Sequence, residues 1–307
     1  MLNISSTPTV SLRGKLLDSK GLRLYVKRDE MNHPAVMGNK WRKLKYNLKE
    51  AAKQNKNTLV TYGGAYSNHI IATSAAAHSC NFSSIGIIRG DELDENSNPT
   101  LIQSSKNGMT LDFVSRSDFK MLKQNLAVPD SLKDIDHDSL YFLPEGGTNL
   151  LAIKGTSEIL EEVDVSYDIC CTAMGTGGTF LGLLKSMNGI GQLWGFSALK
   201  GKWVAEDISR SKAVYGIFHT NYLLFDDQLF GGYGKFDREL IQFILDFRQE
   251  YGILLDPIYT GKMFFRVWDM IKNDQIAKGS TLLMIHTGGL QGIEGFNFRF
   301  DQELPKP

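Results

Sequence analysis

The chain has 307 residues, of which 42% are hydrophobic and 22% are charged, so it can bury a full core in one large or two modest domains. Its 34 lysines and arginines balance 34 acidic residues, and this zero net charge argues against nucleic acid or an anionic membrane as the main partner. The apolar runs are too short to span a membrane, the N-terminus lacks a signal-peptide pattern, and the three cysteines suit buried thiols, which together predict a cytoplasmic protein.

Short apolar runs recur along the chain, each followed by glycine or polar residues and then by a helical pattern. Their hydrophobicity is continuous rather than alternating, which is typical of strands covered on both faces. The repeated order of strand, turn and helix predicts a mainly parallel α/β fold. The runs cover residues 58–64, 83–90, 110–116, 139–147, 167–178, 192–201 and 280–289.

Several intervening segments have helical patterns. Residues 68–79 are small and apolar, which indicates a helix packed in an interior, and the amphipathic segment 238–252 ends at Gly252, a candidate C-cap. The polar segment 91–100 is predicted to be a surface loop. An earlier helix has one apolar stripe, formed by Trp41, Leu44, Leu48 and Ala51.

The turns that follow the strands are the candidate site, because ligands of open α/β sheets bind beyond the carboxyl ends of the strands. Three such turns, at 65–69, 174–179 and 287–289, are rich in glycine and hydroxyl groups, and we expect them to face one crevice. In the second turn, backbone N–H groups and the hydroxyls of Thr176 and Thr179 could hold one phosphate at a helix start. A simple tight turn between strand and helix is the alternative.

Other ligand motifs are absent from the sequence or incomplete. There is no Walker loop, and the turn fails the dinucleotide fingerprint because Phe180 stands at the last glycine position. His78 and Cys80 have no partner pair at ligand spacing, so we expect no metal site. No G-x-S-x-G serine-hydrolase elbow is present.

A lysine could complete the phosphate site, because pyridoxal phosphate carries one phosphate and binds a lysine through a Schiff base. Lys40 lies between a Gly-Asn pair and a cationic helix. If Asn39 caps that helix, its dipole and the charges of Arg42, Lys43 and Lys45 would lower the pKa of the amine and favour the neutral nucleophile. A solvated helix start is the alternative interpretation of this lysine.

Five segments also resemble, in order, the motifs of a known family. Residues 38–48, GNKWRKLKYNL, resemble the lysine motif of the 1-aminocyclopropane-1-carboxylate deaminase and D-cysteine desulfhydrase family. That family belongs to the tryptophan synthase β-subunit superfamily, the fold type II pyridoxal phosphate enzymes. The similar segments extend across nearly the whole chain. The other four are YGGAYSNHIIATSAAA (62–77), MGTGGTFLGLL (174–184), LDPIYTGK (255–262) and MIHTGG (284–289).

The resemblance implies a role for each matching residue. Lys40 would bind the cofactor and move the α-proton, Ser67 would lie near the substrate carboxylate or amine, and Tyr259 would approach the substrate. Asn68 would hydrogen-bond O3′ of the cofactor, and Thr287 would face its pyridine nitrogen. The remaining cofactor-binding candidates are His69, which would stack, orient or simply pack, the phosphate-loop residues Gly175, Thr176, Gly177, Gly178 and Thr179, and Thr260.

The resemblance also bears on the substrate, a small amino acid. Thr260 and Thr287 stand where ring-opening deaminases carry glutamate and leucine, which favours β-elimination of the D-cysteine desulfhydrase type. Ring opening of 1-aminocyclopropane-1-carboxylate is the alternative. Tyr66 replaces the glutamine expected in D-cysteine desulfhydrases, so the substrate stays open. A catalytically inactive binding or regulatory protein and a nucleotide-binding α/β enzyme are rival interpretations.

The resemblance further implies two open, twisted, mainly parallel sheet domains with the cofactor in the cleft between them. Residues 1–41 and 151–307 would form the larger domain, and residues 42–150 the smaller, inserted one. Members of the family are usually homodimers, so we expect a homodimer.

Overall fold

The computed structural model describes residues 6–199, 203–227 and 229–307, and these form two sheets with helices on both faces of each. Almost all strand pairs are parallel, which confirms the predicted α/β class. No described helix combines the length and the apolar character that crossing a bilayer requires.

Ten strands lie in the described residues and are numbered in chain order. One sheet has six strands in the order β1-β2-β10-β7-β8-β9, where only the β1–β2 pair is antiparallel. The other has four parallel strands in the order β5-β4-β3-β6. The strands are β1 (Thr9–Leu12), β2 (Arg23–Lys27), β3 (Thr58–Gly64), β4 (Ser83–Arg89), β5 (Met109–Val114), β6 (Leu140–Leu143), β7 (Ile169–Met174), β8 (Gln192–Ser197), β9 (Tyr222–Phe225) and β10 (Thr281–Ile285).

Eleven α-helices lie in the described residues. Several begin at a side-chain cap; for example, Asp237 accepts a hydrogen bond from the Leu240 N–H at the start of the helix predicted at 238–252. That helix ends at the predicted C-cap, Gly252, which has the left-handed conformation. The helices are α1 (Lys15–Lys20), α2 (Asn39–Lys53), α3 (Asn68–Cys80), α4 (Pro99–Lys106), α5 (Arg116–Asn125), α6 (Leu150–Ser157), α7 (Gly178–Met187), α8 (Trp203–Val214), α9 (Arg238–Tyr251), α10 (Thr260–Lys272) and α11 (Ile293–Phe300).

All seven predicted apolar runs contain a strand, although several strands are shorter than their runs. The run 192–201 ends its strand at Ser197, and its residues 200 and 201 lie outside the described residues. β1, β2 and β9 were not predicted, because they lie at or near an edge of the large sheet and only partly alternate in burial. The loop predicted at 91–100 is wrong at its end: α4 begins at Pro99, and the buried Asn98 caps it.

Both faces of the large sheet are covered, which explains the continuous apolar character of its central strands. All five residues of β10 are buried. Helices α9, α10 and α11 pack on one face with residues such as Phe247, Phe264 and Phe296. Helices α7 and α8 pack on the other face with residues such as Leu181 and Ile208.

The small sheet is covered in the same way. The predicted stripe of α2 packs with Ala72 and Ala76 of α3 against β3 and β6, and Phe119 of α5 packs on the opposite face. All strands of this sheet lie between residues 42 and 150, and all strands of the large sheet lie outside that range. The domain boundaries at 41 and 150 stay a prediction; the first of them falls inside α2.

Candidate active site

One cavity of about 560 Å³ lies where the carboxyl ends of strands from both sheets approach each other. Its wall includes residues of the turns that follow β3, β7 and β10. The structure therefore brings the three predicted turns to one crevice. A volume of this size is typical of a pocket that holds a cofactor or small molecule.

Lys40 reaches this cavity from the start of α2. The preceding Gly38 has a φ of 66°, and a Cβ there would lie 2.2 Å from the carbonyl oxygen of Thr287. Only glycine fits this approach, and it lets the Asn39 N–H donate to that same carbonyl at 3.0 Å. The prediction that Asn39 caps the helix is wrong, because Gly38 occupies the cap position and Asn39 is the first helical residue.

The side chain of Asn39 instead joins Lys40 to the turn after β7. Its Oδ1 accepts a hydrogen bond of 2.9 Å from Lys40 Nζ, and its Nδ2 donates one of 2.9 Å to Thr179 Oγ1. The amine of Lys40 is thus held towards the cavity rather than extended into bulk solvent.

Burial lowers the pKa of Lys40 to about 8, while the carboxylate of Asp256 opposes the shift. The predicted direction is confirmed, but the predicted cause is different. Arg42 forms ion pairs with Asp29 and Glu162, and Lys45 pairs with Glu158, so carboxylates neutralise both cations. Desolvation makes the neutral amine accessible near physiological pH.

Lys43 is a further site residue, which was predicted from the sequence only as one of a cluster of cations. Its Nζ donates to the carbonyl oxygen of Gly146 at 2.8 Å, to Thr148 Oγ1 at 3.2 Å and to Thr176 Oγ1 at 3.4 Å. Burial and the neighbouring Lys40 place the pKa of Lys43 well below its ordinary value. No carboxylate among the described residues pairs with this amine, and an anion beside it would stabilise its protonated form.

The turn at 175–179 supplies an anion cradle next to Lys43. Gly177 caps α7 in the left-handed conformation, without a side chain to bond the free N–H groups of the first helical turn. Thr176 Oγ1 lies 2.7 Å from Thr148 Oγ1, and Gly178 and Thr179 begin the helix and line the same cavity. Gly175 lines it too. Free N–H groups at a helix N-terminus beside a lysine form a binding site for a phosphate-sized anion.

Ser67, Asn68 and His69 line the opposite part of the wall. Ser67 caps α3, and its Oγ accepts from the N–H groups of His69 and Ile70 at 3.2 and 3.3 Å. This use of the oxygen leaves the hydroxyl hydrogen free to donate into the cavity. The Asn68 side chain lies against Gly292, in the turn before α11.

The imidazole of His69 is 2% exposed, and neither ring nitrogen has a hydrogen-bond partner among the described residues. Burial, Lys40 and Lys43 place its pKa well below the ordinary value, so the ring is neutral. Buried polar atoms without partners are rare in folded proteins. Their presence on a cavity wall is what a ligand-contacting side chain would show.

Tyr259 lies beside the anion cradle, since a Cβ on Gly175 would meet its ring at 3.3 Å. Burial and the neighbouring Tyr233 raise the pKa of Tyr259 well above its ordinary value, so the hydroxyl keeps its proton. The rings of Tyr233 and Tyr259 are 6.0 Å apart. The sequence analysis did not predict Tyr233 as a site residue. The only signal for it is the group of glycines around it in the segment 231–234.

The two threonines that the sequence singled out lie in different environments. Thr287 is 5% exposed and lines the cavity. Thr260 is fully buried, donates from its hydroxyl to Asp256 Oδ2 at 2.6 Å and does not line the cavity. Its expected contact with a cofactor has no support from this placement, because the hydroxyl holds the Asp256 carboxylate, which accepts from the N–H groups of Tyr259 and Thr260 at the start of α10.

No cluster of three or more histidine, cysteine or acidic side chains suited to a metal occurs in the described part of the chain. Cys170 and Cys171 are buried free thiols, as their apolar context suggested, and Cys80 is half-buried and also free.

Comparisons with known proteins agree with this geometry. Residues 1–288 match the family of pyridoxal-phosphate dependent enzymes. A protein of Thermotoga maritima, provisionally named a 1-aminocyclopropane-1-carboxylate deaminase, is 30% identical, with 95% of this chain and 96% of that protein covered. The D-cysteine desulfhydrase of Serratia proteamaculans is 27% identical, with 95% and 94% covered. The crystal structure of an ACC deaminase homologue has a TM-score of 0.80 and 27% identity, with 97% of this chain and 92% of that one covered.

Proposed function

The chain belongs to the pyridoxal-phosphate dependent enzymes, in the group of 1-aminocyclopropane-1-carboxylate deaminases and D-cysteine desulfhydrases, and we propose that it acts by β-elimination on a small amino acid. The products are an α-keto acid and ammonia. The observation that carries the proposal is the placement of the Lys40 amine and the 175–179 cradle in one cavity.

The residues present fit the cofactor. Lys40 is a desolvated amine suited to hold it covalently, and Lys43 with the 175–179 turn is suited to its phosphate. The partnerless ring of His69 and the side chain of Asn68 would lie along its edge or face. When bound, pyridoxal phosphate supplies an electron sink that acidifies the α-carbon of an amino acid.

Lys40 is the base for the α-proton in this proposal. Its burial keeps the pKa near 8, so the amine can accept a proton and release it again near neutral pH. Its partner Asn39 holds Nζ at 2.9 Å and limits the rotamers available to the chain.

Ser67 and Tyr259 act on the substrate side. Ser67 can donate its hydroxyl hydrogen to the substrate carboxylate, because its oxygen already accepts from the start of α3. Tyr259 retains its proton through burial and can donate it to a leaving group or to a carbon.

The threonines at 260 and 287 support elimination over ring opening, because the family resemblance places glutamate and leucine there in ring-opening deaminases. A carboxylate that keeps the pyridine nitrogen protonated makes the cofactor a deeper electron sink, and a neutral hydroxyl does so much less. Elimination of a thiolate or chloride, both stable anions, requires only modest stabilisation of the α-carbanion. For D-cysteine, loss of the α-proton and of sulfide followed by hydrolysis gives pyruvate, sulfide and ammonia.

Ring opening of 1-aminocyclopropane-1-carboxylate to 2-oxobutyrate and ammonia is the second candidate. It is favoured by the name of the Thermotoga maritima relative. A binding or regulatory protein without activity would need a disrupted site, whereas Lys40, Ser67, Asn68, Tyr259 and the cradle all line one cavity.

A substrate panel tests the proposal. The purified enzyme is assayed for keto acid with D-cysteine, β-chloro-D-alanine, L-serine and 1-aminocyclopropane-1-carboxylate. We expect pyruvate from the first two. Formation of 2-oxobutyrate together with undetectable D-cysteine turnover would establish the second candidate instead.

We also propose a cytoplasmic location and a homodimeric assembly. The free thiols of Cys80, Cys170 and Cys171 support a reducing compartment. The homodimer rests on family resemblance and is tested by light scattering of the purified protein.

A further inference from the structure

Two arginines flank the turn that delivers Ser67 to the cavity. Arg89, at the end of β4, places Nη2 3.6 Å from the position of a Cβ on Gly64. Arg299, in α11, holds its guanidinium 5.2 Å from the ring centre of Tyr66. Both arginines line the cavity.

The turn is short, so the two arginines lie beside residues that are close together in the chain. The Ser67 N–H donates to the Gly64 carbonyl oxygen at 3.0 Å, which closes a four-residue turn. Arg89 is the strand partner of Gly64, the first residue of this turn, and Arg299 packs over the ring of Tyr66, the third. Both cations therefore lie beside the residue expected to contact the substrate.

Aromatic rings restrict both arginines. The guanidinium carbon of Arg299 is 5.2 Å from the ring centre of Tyr66 and 5.0 Å from that of Phe300, and that of Arg89 is 5.8 Å from the ring centre of Phe119. Stacking on aromatic faces pre-orders a planar guanidinium and leaves its N–H groups free for an anion.

Neither guanidinium forms an ion pair within residues 6–199, 203–227 and 229–307. The carboxylates that line the same cavity have other partners, because Glu145 pairs with Lys123 and Asp207 lies 3.5 Å from Arg210. Arg89 and Arg299 thus place two cations on the cavity wall, and no carboxylate in the described part of the chain pairs with either. The cofactor phosphate would not offset their charge, since its cradle lies beside Lys43.

We propose that Arg89 and Arg299 bind a second anionic group on the substrate, beyond its α-carboxylate. The inference rests on the proposed β-elimination and names its substrate class: an amino acid whose β-substituent carries a phosphate or carboxylate. Planar guanidinium groups match both anions through paired N–H donors. The cavity of about 560 Å³ has room for a cofactor and a substituent of this size.

The reaction balances without an added oxidant or reductant. With O-phosphoserine, the Cα–H and Cβ–O bonds break, and the electron pair of the Cβ–O bond leaves with phosphate. One water then converts the remaining three-carbon fragment to pyruvate and ammonia. With S-carboxymethylcysteine, the Cβ–S bond breaks and thioglycolate leaves.

Binding to the holoenzyme tests the proposal without requiring turnover. Calorimetry compares O-phospho-D-serine and S-carboxymethyl-D-cysteine with D-serine, whose side chain is neutral. We expect at least one anionic ligand to bind about 10- to 100-fold more tightly than D-serine, as charge-assisted hydrogen bonds would give. The two ligands distinguish phosphate from carboxylate as the preferred group. Equal affinity for all three overturns the proposal.

Variants separate a second-anion site from a site for the α-carboxylate. R89Q and R299Q should each lose the preference for the anionic ligand while binding D-serine as the wild type does. An equal loss for D-serine in both would assign the arginines to the α-carboxylate and overturn the proposal. R248Q, at an exposed arginine of α9, is the matched control.

Tyr66 supplies a second, conservative test. Y66F keeps the aromatic face under Arg299 and should keep the preference, whereas Y66A should reduce it. Visible absorbance of the bound cofactor checks that each variant is loaded. If the binding preference holds but no substrate gives keto acid, the proposed β-elimination fails and the anion site stands.

Discussion

Asn39 donates a hydrogen bond of 2.9 Å from its amide to the hydroxyl of Thr179, across 140 residues of sequence. The same amide accepts from Lys40 at 2.9 Å. One side chain therefore fixes the distance between the candidate Schiff-base lysine and the candidate phosphate cradle. This link joins the start of α2 to the start of α7 and places the two functions at one end of the cavity.

Loss of the Lys43 charge should weaken cofactor binding. Lys43→Gln removes a cation that contacts the cradle through Thr176. We expect the dissociation constant for pyridoxal phosphate to rise about 10- to 100-fold, because a charged hydrogen bond contributes roughly 1.5–3 kcal/mol. Titration of the apoenzyme, followed by visible absorbance, measures the change. Lys45→Gln, which removes a pair with Glu158 away from the cavity, should have little effect.

Removal of the Tyr259 hydroxyl should slow the reaction without releasing the cofactor. Tyr259→Phe keeps the ring beside Gly175 but removes the protonated hydroxyl. We expect kcat to fall about 100-fold or more, in the range of general acid catalysis, with an unchanged cofactor spectrum. Tyr233→Phe is the matched control and should reduce kcat less. Equal effects of the two substitutions would assign the role to the tyrosine pair rather than to Tyr259.

Glu162 should make the fold sensitive to acid. Burial alone would raise its pKa, but hydrogen bonds from Arg42 and Lys27 outweigh burial and lower the pKa from 4.5 to about 2. Because the folded-state pKa is depressed, the stabilisation is complete above pH 4.5 and is lost as the pH falls towards 2. The lowering of the pKa from 4.5 to about 2 corresponds to about 3 kcal/mol.

Glu162→Gln should therefore lower the free energy of unfolding near pH 7 by about 3 kcal/mol, since two buried cations lose a partner. The difference from wild type should shrink below pH 4.5. Denaturant unfolding across this pH range measures both effects. Glu161→Gln, at an exposed neighbour, should leave the pH profile unchanged. A constant difference at all pH values would contradict the assignment.

The packing of α6 on α2 should depend on Gly155. A Cβ at this position would lie 1.9 Å from the carbonyl oxygen of Arg42, which is backbone and cannot turn away. Gly155→Ala should destabilise the fold by about 3 kcal/mol, at the upper end of overpacking substitutions. Thermal unfolding measures the loss. Leu150→Ala, at the 56% exposed first residue of the same helix, should change stability by less than about 0.5 kcal/mol.

Much of the fold was predictable because the central strands are covered on both faces. Strands such as β3 and β10 have continuous apolar runs that end in glycine turns, and these features identify both the strand and the site edge. The edge strands β1 and β9 lack that signal. Their positions depend on tertiary pairing, which no local pattern specifies.

The candidate site was predictable where function follows strand ends, as for Lys40, Ser67 and the 175–179 turn. Tyr233, Arg89 and Arg299 could not be found in the same way, because single residues on separate elements carry no spacing signal. The pKa of Lys40 was predicted in direction but not in cause, since the ion pairs that neutralise Arg42 and Lys45 involve Glu162 and Glu158, more than 100 residues away in sequence.

The most direct test of the account is to find which lysine holds pyridoxal phosphate. The holoenzyme is reduced with borohydride, digested, and mapped by mass spectrometry, with Lys40→Ala and Lys45→Ala treated in parallel. We predict that the cofactor is attached at Lys40 in the wild type and in Lys45→Ala, and that Lys40→Ala carries no covalent label. Covalent label retained at another lysine in Lys40→Ala would contradict the account.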